Sequence, residues 1–140
     1  MSEKWNGETC PVCFEGTLHQ RSKQAQFHYR GHTLDYEQEG AWCDACEEGI
    51  LSGKEAEASE PILDEFMARV EKEEARELAR IRKKLGLSQK EAAKIAGGGH
   101  NAFSRYERGE AKPVAAVMNL FRLLDLHPHL LEELKKQDVA

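Results

Sequence analysis

LGLSQKEAAKIAGGGHNAFSRYERG, residues 85–109, is the stretch on which the reading of this chain turns. Its first half reads as a short helix. Ser88 is a good N-cap, Glu91 stands three positions later as in a capping box, and Ala92, Ala93 and Ile95 form one apolar face. Three glycines follow. A glycine-rich turn that opens a helix is first tested as a phosphate cradle, but the P-loop pattern needs a Lys-Ser/Thr pair after its last glycine, and Gly99 precedes His100 and Asn101. No strand-like apolar run comes before the glycines either. Gly97 instead suits a left-handed residue closing the first helix. A second helix is expected from about Gly99 or His100 to Arg108, stopped by Gly109 and the loop EAKP. Two short helices joined by a glycine turn, the second carrying Asn and Arg, form a helix-turn-helix. The small Ala92 and Ala93 fit this reading, because crossing helices must approach closely.

The second helix divides into two faces. Phe103 and Tyr106 are spaced to pack inward, whereas Asn101, Arg105 and Arg108 fall at i, i+4 and i+7 on another face. Asn pairs bidentately with adenine and Arg with guanine, each worth about 1–3 kcal/mol of discrimination. Asn101 and Arg105 are therefore the expected base contacts. His100 reads as a helix cap or a third base contact, and Arg108 as a phosphate contact or a solvated charge. Ser88, Gln89, Lys90 and Ser104 complete the expected phosphate contacts. Glu107 is expected to pair with Arg82 as scaffold.

Charge is unevenly spread along the 140 residues, whose net charge is −5. Residues 1–54 carry 5 basic and 9 acidic side chains, residues 55–74 carry 2 and 8, and residues 75–140 carry 13 and 8. Arg80, Arg82, Lys83, Lys84, Lys90 and Lys94 crowd one stretch of the basic part. That run is either the footprint of a phosphate backbone or a solvated helix face. A composition of 40% hydrophobic and 32% charged residues is that of a soluble globular chain. The polar N-terminus does not read as a signal peptide, and no apolar run approaches a membrane span. A cytoplasmic location without membrane contact is the expectation.

The N-terminal part is organised by four cysteines, Cys10-Pro-Val-Cys13 and Cys43-Asp-Ala-Cys46. Two C-x-x-C pairs about 30 residues apart suit one tetrahedral Zn²⁺ per chain, each knuckle presenting two sulfurs at about 2.3 Å. Disulfides or a thioredoxin-type redox pair are the competing readings, and neither favours two matched pairs in such a chain. A Cys₄ site leaves no open position for water or substrate, so it is structural. His19, His28 and His32 read as strand or surface residues, since the cysteines already fill the tetrahedron. Between the knuckles, QFHYRGHTLDYEQ (residues 26–38) alternates around the turn former Gly31, and a small antiparallel sheet follows. No nucleophile elbow, H-E-x-x-H or other recognisable catalytic signature is present in the sequence, so no enzyme is expected.

From about Lys54 to Leu85 the chain is rich in Glu, Ala, Lys, Arg and Leu. Ile62, Phe66 and Val70 recur at four-residue spacing, as do Leu78, Ile81 and Leu85 at three and four. One long or slightly broken helix is expected, with Pro61 in a first turn after Ser59 or Glu60. The fold class is then α+β with two domains. Residues 1–54 form a β-rich zinc-binding domain, 55–74 a helical connector, and 75–140 an all-α helix-turn-helix domain. Leu123, Leu126, Leu130 and Leu134 supply more apolar positions than its core obviously needs, which leaves core or a dimer face as readings. A two-fold dimer would set two recognition helices about 34 Å apart and call for palindromic DNA.

Residues 82–113, RKKLGLSQKEAAKIAGGGHNAFSRYERGEAKP, resemble the Xre/λ-repressor-like helix-turn-helix, which implies a fold of five helices. CPVC with CDAC, then FMARV, RKKL, SQKEA, GGGHNAFSRYERG and LLDLHP together resemble MqsA-family antitoxins, in which a YgiT-type zinc domain precedes such a helix-turn-helix. The resemblance implies that the zinc domain binds and neutralises a ribonuclease toxin. It also implies that the C-terminal domain forms a homodimer and represses its own toxin-antitoxin operon at palindromic double-stranded DNA. The family's base-reading Asn and Arg fall on Asn101 and Arg105. A stand-alone zinc-containing regulator without a toxin is the alternative.

Overall fold

Arg30 and Gly31 turn the N-terminal part of the chain back on itself. In the computed structural model, which describes residues 4–136, both have positive φ, 50° and 82°, as a two-residue hairpin turn requires to match the twist of its strands. They join β1, Leu18–Tyr29, to β2, His32–Cys43. The pairing is antiparallel, with Leu18 opposite Cys43 and Tyr29 opposite His32. A short β3, Gly49–Ile50, pairs with the other edge of β2 and completes a three-stranded sheet. The hairpin runs well beyond the expected residues 26–38, most of all towards the cysteines. Stretches such as QRSKQAQ hid the extension, because a polar ladder held by cross-strand pairs has no apolar alternation to read. Ser22 donating to Glu37 at 2.9 Å is one such pair.

The interior at the cysteine end is small. Cys10, Leu18, Ala41 and Cys43 are its buried residues, with Trp5 and Ile50 packed against them. So few apolar groups cannot offset the chain entropy of ordering the sheet.

Next comes α1, Gly53–Lys84, a continuous helix of 32 residues. Ser52 and Glu55 open it with a reciprocal capping box: the Glu55 N–H donates to Ser52 Oγ at 3.2 Å, and the Ser52 N–H donates to Glu55 Oε1 at 2.9 Å. Glu55 also accepts from Gln20 Nε2 of β1 at 2.5 Å, which ties the helix start to the sheet. Pro61 therefore lies inside the helix rather than in its first turn. The S-x-x-E of Ser52 to Glu55 is a stronger start signal than the proline. Further along, Phe66 meets Phe27 of β1 edge-on with ring centroids 6.1 Å apart.

Two compact units divide the chain, Met1–Met67 and Ala68–Ala140, and α1 contributes residues to both. In the second, α1 is followed by α2 (Gln89–Ala96), α3 (Ala102–Glu107), α4 (Ala115–Leu126), a 3₁₀ turn at Pro128–Leu130, and α5 (Leu131–Lys136). Each helix contributes to one core. Leu78 and Ile81 come from α1, Ala92 and Ala93 from α2, Phe103 from α3, Phe121 and Leu124 from α4, and Leu131 from α5. Leu130 and Leu134 pack against this core, whereas Leu123 and Leu126 remain 48% and 75% exposed. No helix among the described residues is long and apolar enough to cross a membrane.

Candidate functional site

The two knuckles meet at the base of the sheet. The first precedes β1, while the second begins with the last residue of β2 and runs into the turn before β3. The sulfurs of Cys10, Cys13, Cys43 and Cys46 all lie within 4.8 Å of one another. Cys10 and Cys46 are 3.7 Å apart, as are Cys13 and Cys43. An ion about 2.3 Å from each of four sulfurs would space them about 3.8 Å apart, so the four fit a tetrahedral metal. Backbone N–H groups point at the sulfurs from within each knuckle. Val12 N donates to Cys10 at 3.4 Å, Gly16 N to Cys13 at 3.4 Å, and Ala45 N to Cys43 at 3.3 Å.

These donors favour thiolates unequally. The N–H groups of Gly16 and Glu15 bring the Cys13 thiol down to about 6. At Cys46 the Glu48 N–H also favours the thiolate, but desolvation and the sulfurs of Cys43, Cys10 and Cys13 outweigh it and push the thiol up to about 12. At Cys46 the neighbouring sulfurs oppose the thiolate, a cost that a divalent cation held by the cluster would offset. Gly16 is dictated by closeness: a Cβ there would collide with Cys43 Sγ and come within 2.8 Å of the Ala45 side chain. Asp44 in the second knuckle accepts from Thr17 N at 3.0 Å and contacts His19 Nε2 at 2.9 Å, and the Thr17 N–H followed by His19 hold its carboxyl below the usual range. His19 is thereby engaged outside the metal cluster, and His28 bonds Thr33 at 2.9 Å. Among the described residues the four cysteines are the only such cluster.

The second site is built on α2 and α3. Ser88 caps α2 with both halves of the capping box present, Glu91 N donating to Ser88 Oγ and Ser88 N donating to Glu91 Oε1 at 3.0 Å each. Gly97, Gly98 and Gly99 then all take positive φ, 84°, 92° and 90°. Three consecutive residues in a region that side chains avoid account for the third glycine. At Gly98 space is short as well, since a Cβ would lie 3.3 Å from Ala102 Cβ. Gly97 differs from the expected left-handed cap, because its ψ is −175° while its N–H still closes on the Ala93 carbonyl. This extended mirror-image region is open essentially to glycine alone.

A Gly97→Ala variant meets no atom within 4 Å, so its cost is backbone strain, about 1–3 kcal/mol. The unfolding free energy from urea denaturation should fall by that amount, with an unchanged slope. Gly97→Asn should recover little, because Asn tolerates the left-handed helical region and not this one.

The longer turn moves the start of α3 to Ala102, two to three residues later than expected, with Asn101 as its N-cap. Asn101 makes no side-chain capping bond and is exposed, as are His100, Arg105 and Arg108. On the inner face Phe103 is fully buried and meets Tyr106 and Phe121 at centroid distances of 5.6 and 5.0 Å. Arg108 is held by the Ser104 carbonyl at 3.2 Å and by Glu110 at 3.2 Å. Arg105 has no ion pair among the described residues.

Scaffold pairs take up part of the basic run. Arg82 grips Glu107 with two nitrogens at 2.7 and 3.0 Å and donates a third bond to the Leu87 carbonyl at 2.9 Å. Gln89 adds a bond to Glu107 at 3.3 Å, which links α2 and α3. Arg80 and Lys84 both pair with Asp125, at 2.9 and 2.7 Å, and hold its carboxyl down to about 2. Lys83 and Lys90 stay exposed and unpaired among the described residues. The missed partners are Asp125 and Gln89, which only the packing of α4 and α2 brings within reach.

A family model described as the antitoxin component of bacterial toxin-antitoxin systems, MqsA, matches residues 8–135. The chain is also similar to Antitoxin MqsA of Escherichia coli (strain K12), 41% identical over 129 residues that cover 90% of this chain and 98% of that protein. With a Cys₄ cluster before a paired-helix unit, and with both similarities running through nearly its whole length, this chain belongs to the MqsA family of toxin-antitoxin antitoxins.

Proposed function

We propose that the protein is the antitoxin of a type II toxin-antitoxin pair and acts by binding at two places, with no catalysis of its own. Its N-terminal part, residues 1–54, binds and neutralises a ribonuclease toxin. One structural Zn²⁺ on Cys10, Cys13, Cys43 and Cys46 holds that part in shape. Through a connector over residues 55–74 it is joined to an Xre-type five-helix domain, residues 75–140, which represses the protein's own operon.

One observation carries the DNA reading: Asn101, the N-cap of α3, and Arg105, one turn further on, stand exposed, with no capping bond on the first and no ion pair on the second among the described residues. A polar side chain left unengaged on a helix anchored by Phe103 is available to base edges. In this reading His100 adds a base contact, while Ser88, Gln89, Lys90, Ser104 and Arg108 hold phosphates and fix the register. Exposed Leu123 and Leu126 on α4 favour a homodimer, whose two α3 helices would read a palindrome.

Asn101→Ala and Arg105→Ala should each lower the preference for operator over random DNA by about 1–3 kcal/mol with the fold retained. Gel-shift competition against unrelated duplex measures this, and unchanged preference removes the residue from the site. The toxin reading is tested by co-purification of the full-length protein with the toxin encoded beside it. Failure of that complex to form leaves a DNA-binding regulator and ends the antitoxin assignment.

A further inference from the structure

In the first unit, a groove of about 450 Å³ lies between the β1–β2 hairpin and the first turns of α1. Its floor is apolar, made by Phe27 and Tyr36 from the strands and by Leu63 and Met67 from the helix, with the 40% exposed Leu51 beside them. Its lip is acidic. Glu57, Glu60 and Asp64 line it, and none has a hydrogen bond or ion pair among the described residues.

These three carboxylates sit at i, i+3 and i+7 of one helix face, where like charges repel. Glu60 and Asp64 lie beyond the first turn and gain little from the helix dipole. The surrounding residues 55–74 carry 8 acidic and 2 basic side chains, so this stretch of the helix is strongly negative. An apolar floor under a negative lip concentrates the field on whatever enters. Such a groove repels nucleic acid and suits a cationic polypeptide that brings one large apolar side chain.

We propose that this groove is a docking site for a basic segment of the toxin, with an aromatic or long aliphatic side chain on the Phe27–Leu63 floor and Lys or Arg at the lip. The proposal rests on the antitoxin reading and assigns part of the toxin contact to α1, outside the zinc-binding residues themselves.

The test is calorimetric titration of purified toxin into the full-length, metal-loaded protein. The variant Glu57→Lys/Glu60→Lys/Asp64→Lys should weaken binding by about tenfold to a hundredfold and reverse its salt dependence, while operator binding in a gel shift is unchanged. Glu60→Gln and Tyr36→Ala, each a milder change, should weaken binding by smaller factors with the circular dichroism spectrum preserved. If all three variants bind toxin as tightly as the unaltered protein, the groove is not the docking site and the antitoxin reading stands. If the unaltered protein itself fails to bind toxin, the antitoxin reading falls and takes the groove assignment with it. Protection of the groove's amides from hydrogen exchange by raised protein concentration alone would make a second copy of this chain the occupant, which also overturns the proposal.

Discussion

Chelating metal from the full-length protein should unfold the knuckles, β3 and the adjoining end of the hairpin, while the helical unit keeps its cooperative melt. The asymmetry follows from core size. The cysteine end buries Cys10, Leu18, Ala41 and Cys43, and two of those four are ligands. Ordering each residue costs about 1–2 kcal/mol of backbone entropy, against about 1.5–3 kcal/mol for each large side chain buried. The deficit is what a structural metal covers, with apparent binding free energies of about 10–16 kcal/mol near neutral pH. The hydrophobic core of the helical unit instead has eleven buried residues, among them Phe103 and Phe121, with no cysteine in it. Amide hydrogen exchange before and after chelation, read beside released metal, measures both halves in one sample. Persistent protection of β2 and β3 in metal-free protein would show that the sheet stands on its packing.

Removing one partner of the Arg82–Glu107 pair is the largest single-residue loss expected in the helical unit. Both side chains are mostly buried, 12% and 11% exposed. Glu107→Ala leaves the guanidinium with only the Leu87 carbonyl and takes the acceptor from Gln89. An uncompensated buried charge of this kind costs about 3–5 kcal/mol. Urea denaturation followed at a helical wavelength should show that loss, and operator affinity should fall with it, since the pair fixes α3 against α1. The double variant Arg82→Met/Glu107→Leu should recover most of the stability, because a well-packed apolar pair replaces a buried ion pair at little net cost. If Glu107→Ala is neutral, the pair is solvated in practice and α3 is held by Phe103 and Tyr106 alone.

What could be read from the residues depended on the range of the physics involved. The capping box at Ser88 and Glu91, the inward Phe103 and Tyr106, and the pairing of Arg82 with Glu107 were legible. Each rests on a local spacing or on a charge inside an apolar neighbourhood. The hairpin's extension was not legible because polar Gln20, Lys23 and Gln38 occupy covered positions in it, so the burial alternates while the hydrophobicity does not. Pro61 misled as a start signal, since Ser52 and Glu55 cap the helix earlier and the burial of Phe66, Val70, Leu78 and Ile81 carries it through.

The glycine run marks the boundary between the two kinds of information. By itself the sequence determined that residues 88–108 form two helices about a glycine turn, and that two C-x-x-C knuckles can share one metal. Both are short-range consequences of residue type and spacing. Only the tertiary structure decided that all three glycines need positive φ, that α3 begins at Ala102 with Asn101 as its cap, and that Arg80 and Lys84 are taken by Asp125. Which charges remain free depends on how α4 packs against α1, since that packing brings Asp125 to Arg80 and Lys84. Contacts between residues more than forty positions apart are set by the burial of the whole core, which no local pattern encodes.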